Sequence, residues 1–163
     1  MAQDITILVV EDDPILKNLL GRTFSGTYHV FFASNGKEAL AILKEHTPSI
    51  ILLDIMMPDM DGFTFMEQVN THPEIAEKHV PIMIVSNLGQ QKDVEHAKEL
   101  GAKEYLVKAE VSVEEIVAKI QEMLSTGQST TGQPTSSADN GSVESAQPQS
   151  QDTAPMQSPE QSI

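Results

Sequence analysis

The run Ile50-Ile51-Leu52-Leu53, closed by Asp54, constrains this chain more than any other feature. Four consecutive apolar residues read as a buried strand. Ile5-Thr6-Ile7-Leu8-Val9-Val10 and Pro81-Ile82-Met83-Ile84-Val85 repeat the pattern, and Tyr28–Ala33 and Lys103–Val107 are further strand candidates. Between them lie segments with apolar residues at helical spacing, over 14–23, 37–46, 63–70, 90–100 and 112–124. Pro14 suits a first helical turn, Gly101 a helix stop, and Ser112 with Glu114-Glu115 a helix start. Strand and helix thus alternate five times. Such alternation implies an α/β fold in which helices cover both faces of a five-stranded parallel sheet.

Parallel strands end on one common edge, and in open α/β sheets the crevice beyond that edge is where ligands bind. The residues just past four of the strands are polar: Glu11 and Asp12 after the first, Asp54 after the third, Ser86 after the fourth and Lys108 after the fifth. Glu11, Asp12 and Asp54 would bring like charges together, which is unfavourable without a cation. Oxygen donors without His or Cys suit a hard ion such as Mg²⁺. Helix capping accounts for Asp13 better than for its two acidic neighbours. Asp54 by itself fits three roles: a metal ligand, a turn-capping residue, or a carboxylate nucleophile that forms an acyl phosphate.

Composition narrows the setting. The formal charge is −14 and no basic cluster is visible, which disfavours direct binding of nucleic acid or an anionic membrane. The chain has no cysteine, so it holds neither a disulfide nor a thiolate metal site. No signal-peptide layout or membrane-length apolar run is present, so a cytoplasmic protein is expected. Residues 125–163 are rich in Ser, Thr, Gln and Pro, contain no Lys, Arg or aromatic residue, and read as a disordered tail. The five histidines are scattered without metal-binding spacing and are expected to be packing or surface residues.

Taken together, Val9-Val10-Glu11-Asp12, Leu53-Asp54 through Asp61-Gly62, Val85-Ser86-Asn87 and Gly101 through Lys108 resemble the receiver domain of two-component response regulators. The resemblance covers 5–124 and implies a (βα)5, flavodoxin-like topology. It implies that Asp54 is the phosphoacceptor, taking a phosphoryl group from a histidine kinase or phosphotransfer protein. Mg²⁺ would be held by Asp12, Asp54 and the Met56 backbone carbonyl, with Glu11 acting largely through water. Ser86 would bond the phosphoryl group, Lys108 would pair with it, and Tyr105 would follow Ser86 as the switch aromatic. The surface of the fourth helix, fifth strand and fifth helix would then meet a downstream protein or a second copy of the chain. No output domain is expected within this sequence, and no turnover enzyme beyond the receiver's own phosphorylation and dephosphorylation.

Two departures from the family pattern carry expectations of their own. Ala109 follows Lys108 where most receivers have a cis proline; a cis bond before a non-proline costs about 3–4 kcal/mol, so a trans bond and an altered loop are expected. Met56 and Leu88 flank the expected path of hydrolytic water and cannot orient it, so an acyl phosphate lasting minutes or longer is expected. Other functions fit less well. A Mg²⁺-dependent phosphatase with an Asp nucleophile typically carries D-x-D after the first strand, where this chain reads Glu11-Asp12-Asp13-Pro14. A nucleotide-binding fold lacks its glycine fingerprint here. A receiver-like interaction module that is never phosphorylated has no use for the full acidic, hydroxyl and lysine set.

Overall fold

The computed structural model describes residues 4–126. Five parallel strands form one sheet in the order β2-β1-β3-β4-β5. They are β1 Thr6–Val10, β2 His29–Ala33, β3 Ile50–Leu53, β4 Ile82–Ser86 and β5 Glu104–Val107. The helices are α1 Pro14–Phe24, α2 Gly36–Glu45, α3 Gly62–Thr71, α4 Pro73–Ala76, α5 Gln91–Glu99 and α6 Val113–Thr126, with a 3-10 turn at Lys108–Glu110. The expected α/β architecture is present.

The central strands are apolar throughout because each face has its own core. Successive side chains point to opposite faces. Leu8, Val10, Ile51, Leu53 and Ile84 pack with Ala39, Leu43, Phe65 and Ala97 on one side. Ile7, Val9, Ile50, Leu52 and Val85 pack with Leu20, Phe24, Ile116 and Ile120 on the other.

Helix starts follow strand ends, and local capping chemistry sets them. The Asp13, Asn35 and Asp61 carboxylate or amide oxygens accept from the N–H groups of Ile15, Glu38 and Thr64. Ser112 and Glu115 cap each other reciprocally: Ser112 Oγ accepts from the Glu115 N–H at 3.2 Å, and Glu115 accepts from the Ser112 N–H at 2.6 Å.

The structure departs from the sequence reading at two places. Helix α4 was not expected. It is a single turn opened by Pro73, too short to show a helical period. Just beyond it, the Lys78 ammonium donates to the carbonyls of Leu43 and His46 at the end of α2. The last helix also runs to Thr126, two residues past the expected domain end, and the Ser125 and Thr126 hydroxyls donate to the Gln121 and Glu122 carbonyls. The expected tail from 127 onward lies outside the described residues. Among the described residues, no helix is long and apolar enough to cross a membrane.

Candidate functional site

The sheet continues one hydrogen bond beyond β1 and β3, and this fixes the two buried carboxylates. The Glu11 N–H donates to Ala33 and the Asp54 N–H donates to Val10, both at 2.9 Å. Glu11 and Asp54 are therefore backbone-anchored, and each is only 4% exposed. Gly62 makes the return of the following loop possible: a Cβ there would stand 2.6 Å from the Asp54 carbonyl oxygen and 2.7 Å from the Ile55 Cα.

Lys108 reaches both acids. Its ammonium lies 2.7 Å from Glu11 Oε2 and 2.7 Å from Asp54 Oδ2. The remaining oxygens accept from loop amides, Asp54 Oδ1 from the Met56 N–H at 3.1 Å and Glu11 Oε1 from the Asp13 N–H at 3.0 Å. Burial raises the Glu11 pKa, against the opposing bonds from Lys108 and Asp13. Burial alone would lower the pKa of Lys108; its bonds to Asp54 and Glu11 outweigh that and hold it above the ordinary lysine range. Asp12 is exposed beside them. Oxygens of Glu11, Asp12 and Asp54 lie within 4.8 Å of one another. Three carboxylates with no nitrogen or sulfur donor match the preference of a hard divalent cation.

The remaining expected residues form an adjoining cluster. Ser86 is fully buried, and its Oγ accepts from the Leu88 N–H at 3.3 Å. The Tyr105 hydroxyl donates to the Leu88 carbonyl at 2.6 Å. Burial, with the nearby charges of Asp93 and Asp54, raises the Tyr105 pKa. Leu88 thus links the strand-four hydroxyl to the strand-five aromatic through its two backbone groups. Met56 is 56% exposed, while its amide is tied to Asp54. The 108–109 bond is trans and the loop turns through the 3-10 segment, as the replacement of proline by Ala109 led us to expect.

Some surface features were not foreseen. Ile15 is 79% exposed and Leu19 46% exposed, although both belong to the apolar pattern of α1. The signal was present: they lie off the stripe formed by Leu16, Leu20 and Phe24, and one contact face cannot cover so wide an arc. A shallow groove of about 580 Å³ runs along Ile55, Met56, Met57, Asp61, Phe63, Thr64 and Leu88. The larger concavity, about 700 Å³, lies at the opposite edge of the sheet among Ile5, Lys103, Lys119 and Leu124, so size does not locate the chemistry. As expected, histidines pack on aromatics, His46 on Phe31 and His96 against Phe63.

Residues 7–121 match the family described as the response regulator receiver domain. The chain belongs to this family. A probable transcriptional regulator, ycf27, of Porphyra purpurea is 38% identical over 120 residues, which cover 72% of this chain and 46% of that protein. A gliding motility regulatory protein of Myxococcus xanthus is 32% identical over 75% of the chain and 16% of its own length. The receiver thus spans about half the length, or less, of these curated relatives. Among solved structures, a CheY-like receiver domain protein from Methanospirillum hungatei is 25% identical with a TM-score of 0.67, covering 76% of this chain and 96% of that one. A putative response regulator from Chloroflexus aurantiacus is 28% identical with a TM-score of 0.66, covering 76% and 99%. The family and fold expected from the strand-end residues are therefore those of this chain.

Proposed function

We propose that this receiver accepts a phosphoryl group on Asp54 from a histidine kinase or phosphotransfer protein and signals by a change of conformation to protein partners. The observation that carries the reading is the single ammonium of Lys108 shared by Asp54 and Glu11, with Ser86 and Tyr105 joined through Leu88 beside it.

Phosphoryl transfer rests on position and charge neutralisation more than on proton chemistry. An Asp54 oxygen attacks the phosphorus of a phosphoramidate donor. A P–O bond forms, the P–N bond breaks, and the donor imidazole leaves with the electron pair. Lys108 is placed to pair with the phosphoryl oxygens. The Ser86 hydroxyl, which accepts from the Leu88 N–H, has its own proton and can turn to donate it to them. A Mg²⁺ ion held by Asp12, Asp54 and the Met56 carbonyl, with Glu11 close by, would supply the remaining positive charge.

Turning Ser86 toward a phosphoryl oxygen gives up its bond to the Leu88 N–H, and Leu88 is where Tyr105 is attached. The new charge thereby biases the loop after β4 and the α5–β5–α6 surface. That surface is the one we assign to a downstream protein or a second copy of the chain. Exposed Ile15, which follows the acidic turn after β1, and exposed Met56, two residues after Asp54, are the side chains we assign to meeting the donor. We assign the receiver to the cytoplasm. It is a switch, with no reaction turned over on a separate substrate.

Incubating the full chain with Mg²⁺ and acetyl phosphate, then measuring intact mass, tests the reading. Gain of one phosphoryl group in the parent and none in Asp54→Ala is the expected result. A folded parent that gains nothing would favour an unphosphorylated interaction module. Because Met56 and Leu88 cannot hydrogen-bond a water, the acyl phosphate should last minutes or longer; release of phosphate within a few seconds would refute that part.

A further inference from the structure

We propose that Met56 is an oxidation site that tunes the acyl phosphate: converting its thioether to the sulfoxide by a peroxide sets a hydrogen-bond acceptor beside Asp54 and shortens the phosphorylated state. This rests on the reading of Asp54 as the phosphoacceptor and adds a regulator of the same site.

Composition and burial together select the residue. The chain has no cysteine, so a peroxide meets no thiol and the thioethers are left as the oxidisable sulfurs. Among the described residues, Met66 and Met83 are fully buried, and Met57, Met60 and Met123 are partly buried. A buried thioether reacts only after the structure opens around it. Met56, 56% exposed, needs no such opening.

Position gives the oxidation a consequence. The Met56 N–H donates to Asp54 Oδ1 at 3.1 Å, which ties this residue to the phosphoacceptor. Met56 and Leu88 line the same open groove. Its polar neighbours are already committed to holding the loops. The Leu88 N–H donates to Ser86 Oγ, the Leu88 carbonyl accepts from Tyr105, and the Thr64 hydroxyl donates to the Asp61 carboxylate. A sulfoxide turns the flexible apolar arm of Met56 into a polar one. Its oxygen accepts a proton of a water and holds that water's lone pair toward the phosphorus.

The chemistry balances without a cofactor. The sulfur lone pair attacks one peroxide oxygen, an S–O bond forms, the O–O bond breaks, and water leaves after proton transfer. The sulfur is oxidised and the peroxide is reduced. In the later hydrolysis the oriented water bonds to phosphorus, and the Asp54 carboxylate leaves with the electron pair of the broken P–O bond.

The test treats the full chain with dilute hydrogen peroxide until intact mass shows one added oxygen, and locates that oxygen by peptide mapping. The protein is then phosphorylated with Mg²⁺ and acetyl phosphate, freed of donor, and its loss of phosphate followed by intact mass. The first oxygen should map to Met56, and the half-life should fall about fivefold, the worth of one ordinary hydrogen bond. A methionine sulfoxide reductase with a thiol should restore the original half-life. Met56→Leu should lose the response to peroxide, and Met56→Gln should shorten the half-life with no oxidant present. First oxidation at Met57 or Met60 would overturn the site. An unchanged or longer half-life in the Met56 sulfoxide would overturn the tuning while leaving Asp54 as phosphoacceptor. No phosphoryl gain in the untreated, folded parent would overturn both readings. If Met56→Gln fails to fold, the sulfoxide form and its reduction decide by themselves.

Discussion

Two lysines in this receiver each bridge two carboxylates, and they do different things. Lys108 lies 2.7 Å from both Glu11 and Asp54, whose side chains are 5% and 4% exposed. Lys119 on α6 lies 3.1 Å from Glu104 and 3.2 Å from Glu122, which are 33% and 66% exposed. The inventory of charges is the same and the environment is not. Around Lys119, water can replace either partner, so the pair is a solvated surface feature. Around Lys108, removing the ammonium strands two carboxylates away from water. A salt bridge becomes a site here because the β1 and β3 ladders carry the acids below the surface.

Replacing each lysine by methionine breaks the comparison most sharply. Lys108→Met leaves two buried carboxylates without their shared cation and should cost about 3 kcal/mol of stability in urea unfolding under chelating conditions. Lys119→Met should leave the unfolding midpoint within error. Equal losses at the two positions would show that burial does not separate them. Magnesium should restore much of the loss at position 108, because it supplies charge to the same acids, and none at position 119.

A smaller effect comes from the backbone that shapes the buried site. Gly62→Ala forces a Cβ against the Asp54 carbonyl oxygen and the Ile55 Cα, and neither main-chain atom can move freely. A loss of about 1–3 kcal/mol is expected, as for other overpacked positions. Gly36→Ala meets only the flexible Met60 side chain and should cost less. Thermal unfolding of the two variants ranks them; a larger loss at Gly36 would mean that the loop after β3 is softer than its contacts indicate.

Much of this was legible in the sequence, for identifiable reasons. Uninterrupted apolar strands and capping residues are local signals, so β1, β3, β4 and the starts of α1 and α6 follow from them. Parallel pairing then puts Glu11, Asp54, Ser86 and Lys108 on one edge whatever the loops do. The double contact of Lys108 was not legible, because it depends on Glu11 turning one oxygen to the Asp13 amide and the other inward. Nor was the Leu88 link between Ser86 and Tyr105, which is made by backbone groups that carry no residue signature. The exposure of Ile15 and Leu19 was legible but went unread: with Leu16, Leu20 and Phe24 they span a wider arc than one contact face covers.

The finest distinction concerns the two acids that share Lys108. Glu11 has its pKa raised, chiefly by burial, so its ionised form is less favourable in the folded protein than in the unfolded chain. The sign follows from linkage. A raised folded pKa contributes stability that is fully present below the unfolded value of about 4.5 and is lost as pH rises through the folded value. Glu11→Gln removes that loss. Under chelating conditions it should unfold at a slightly higher temperature than the parent at pH 7, and the advantage should shrink toward pH 4. If Glu11→Gln is instead less stable than the parent at pH 7, the bond to Lys108 outweighs burial at Glu11, and the two carboxylates are held by Lys108 as equals.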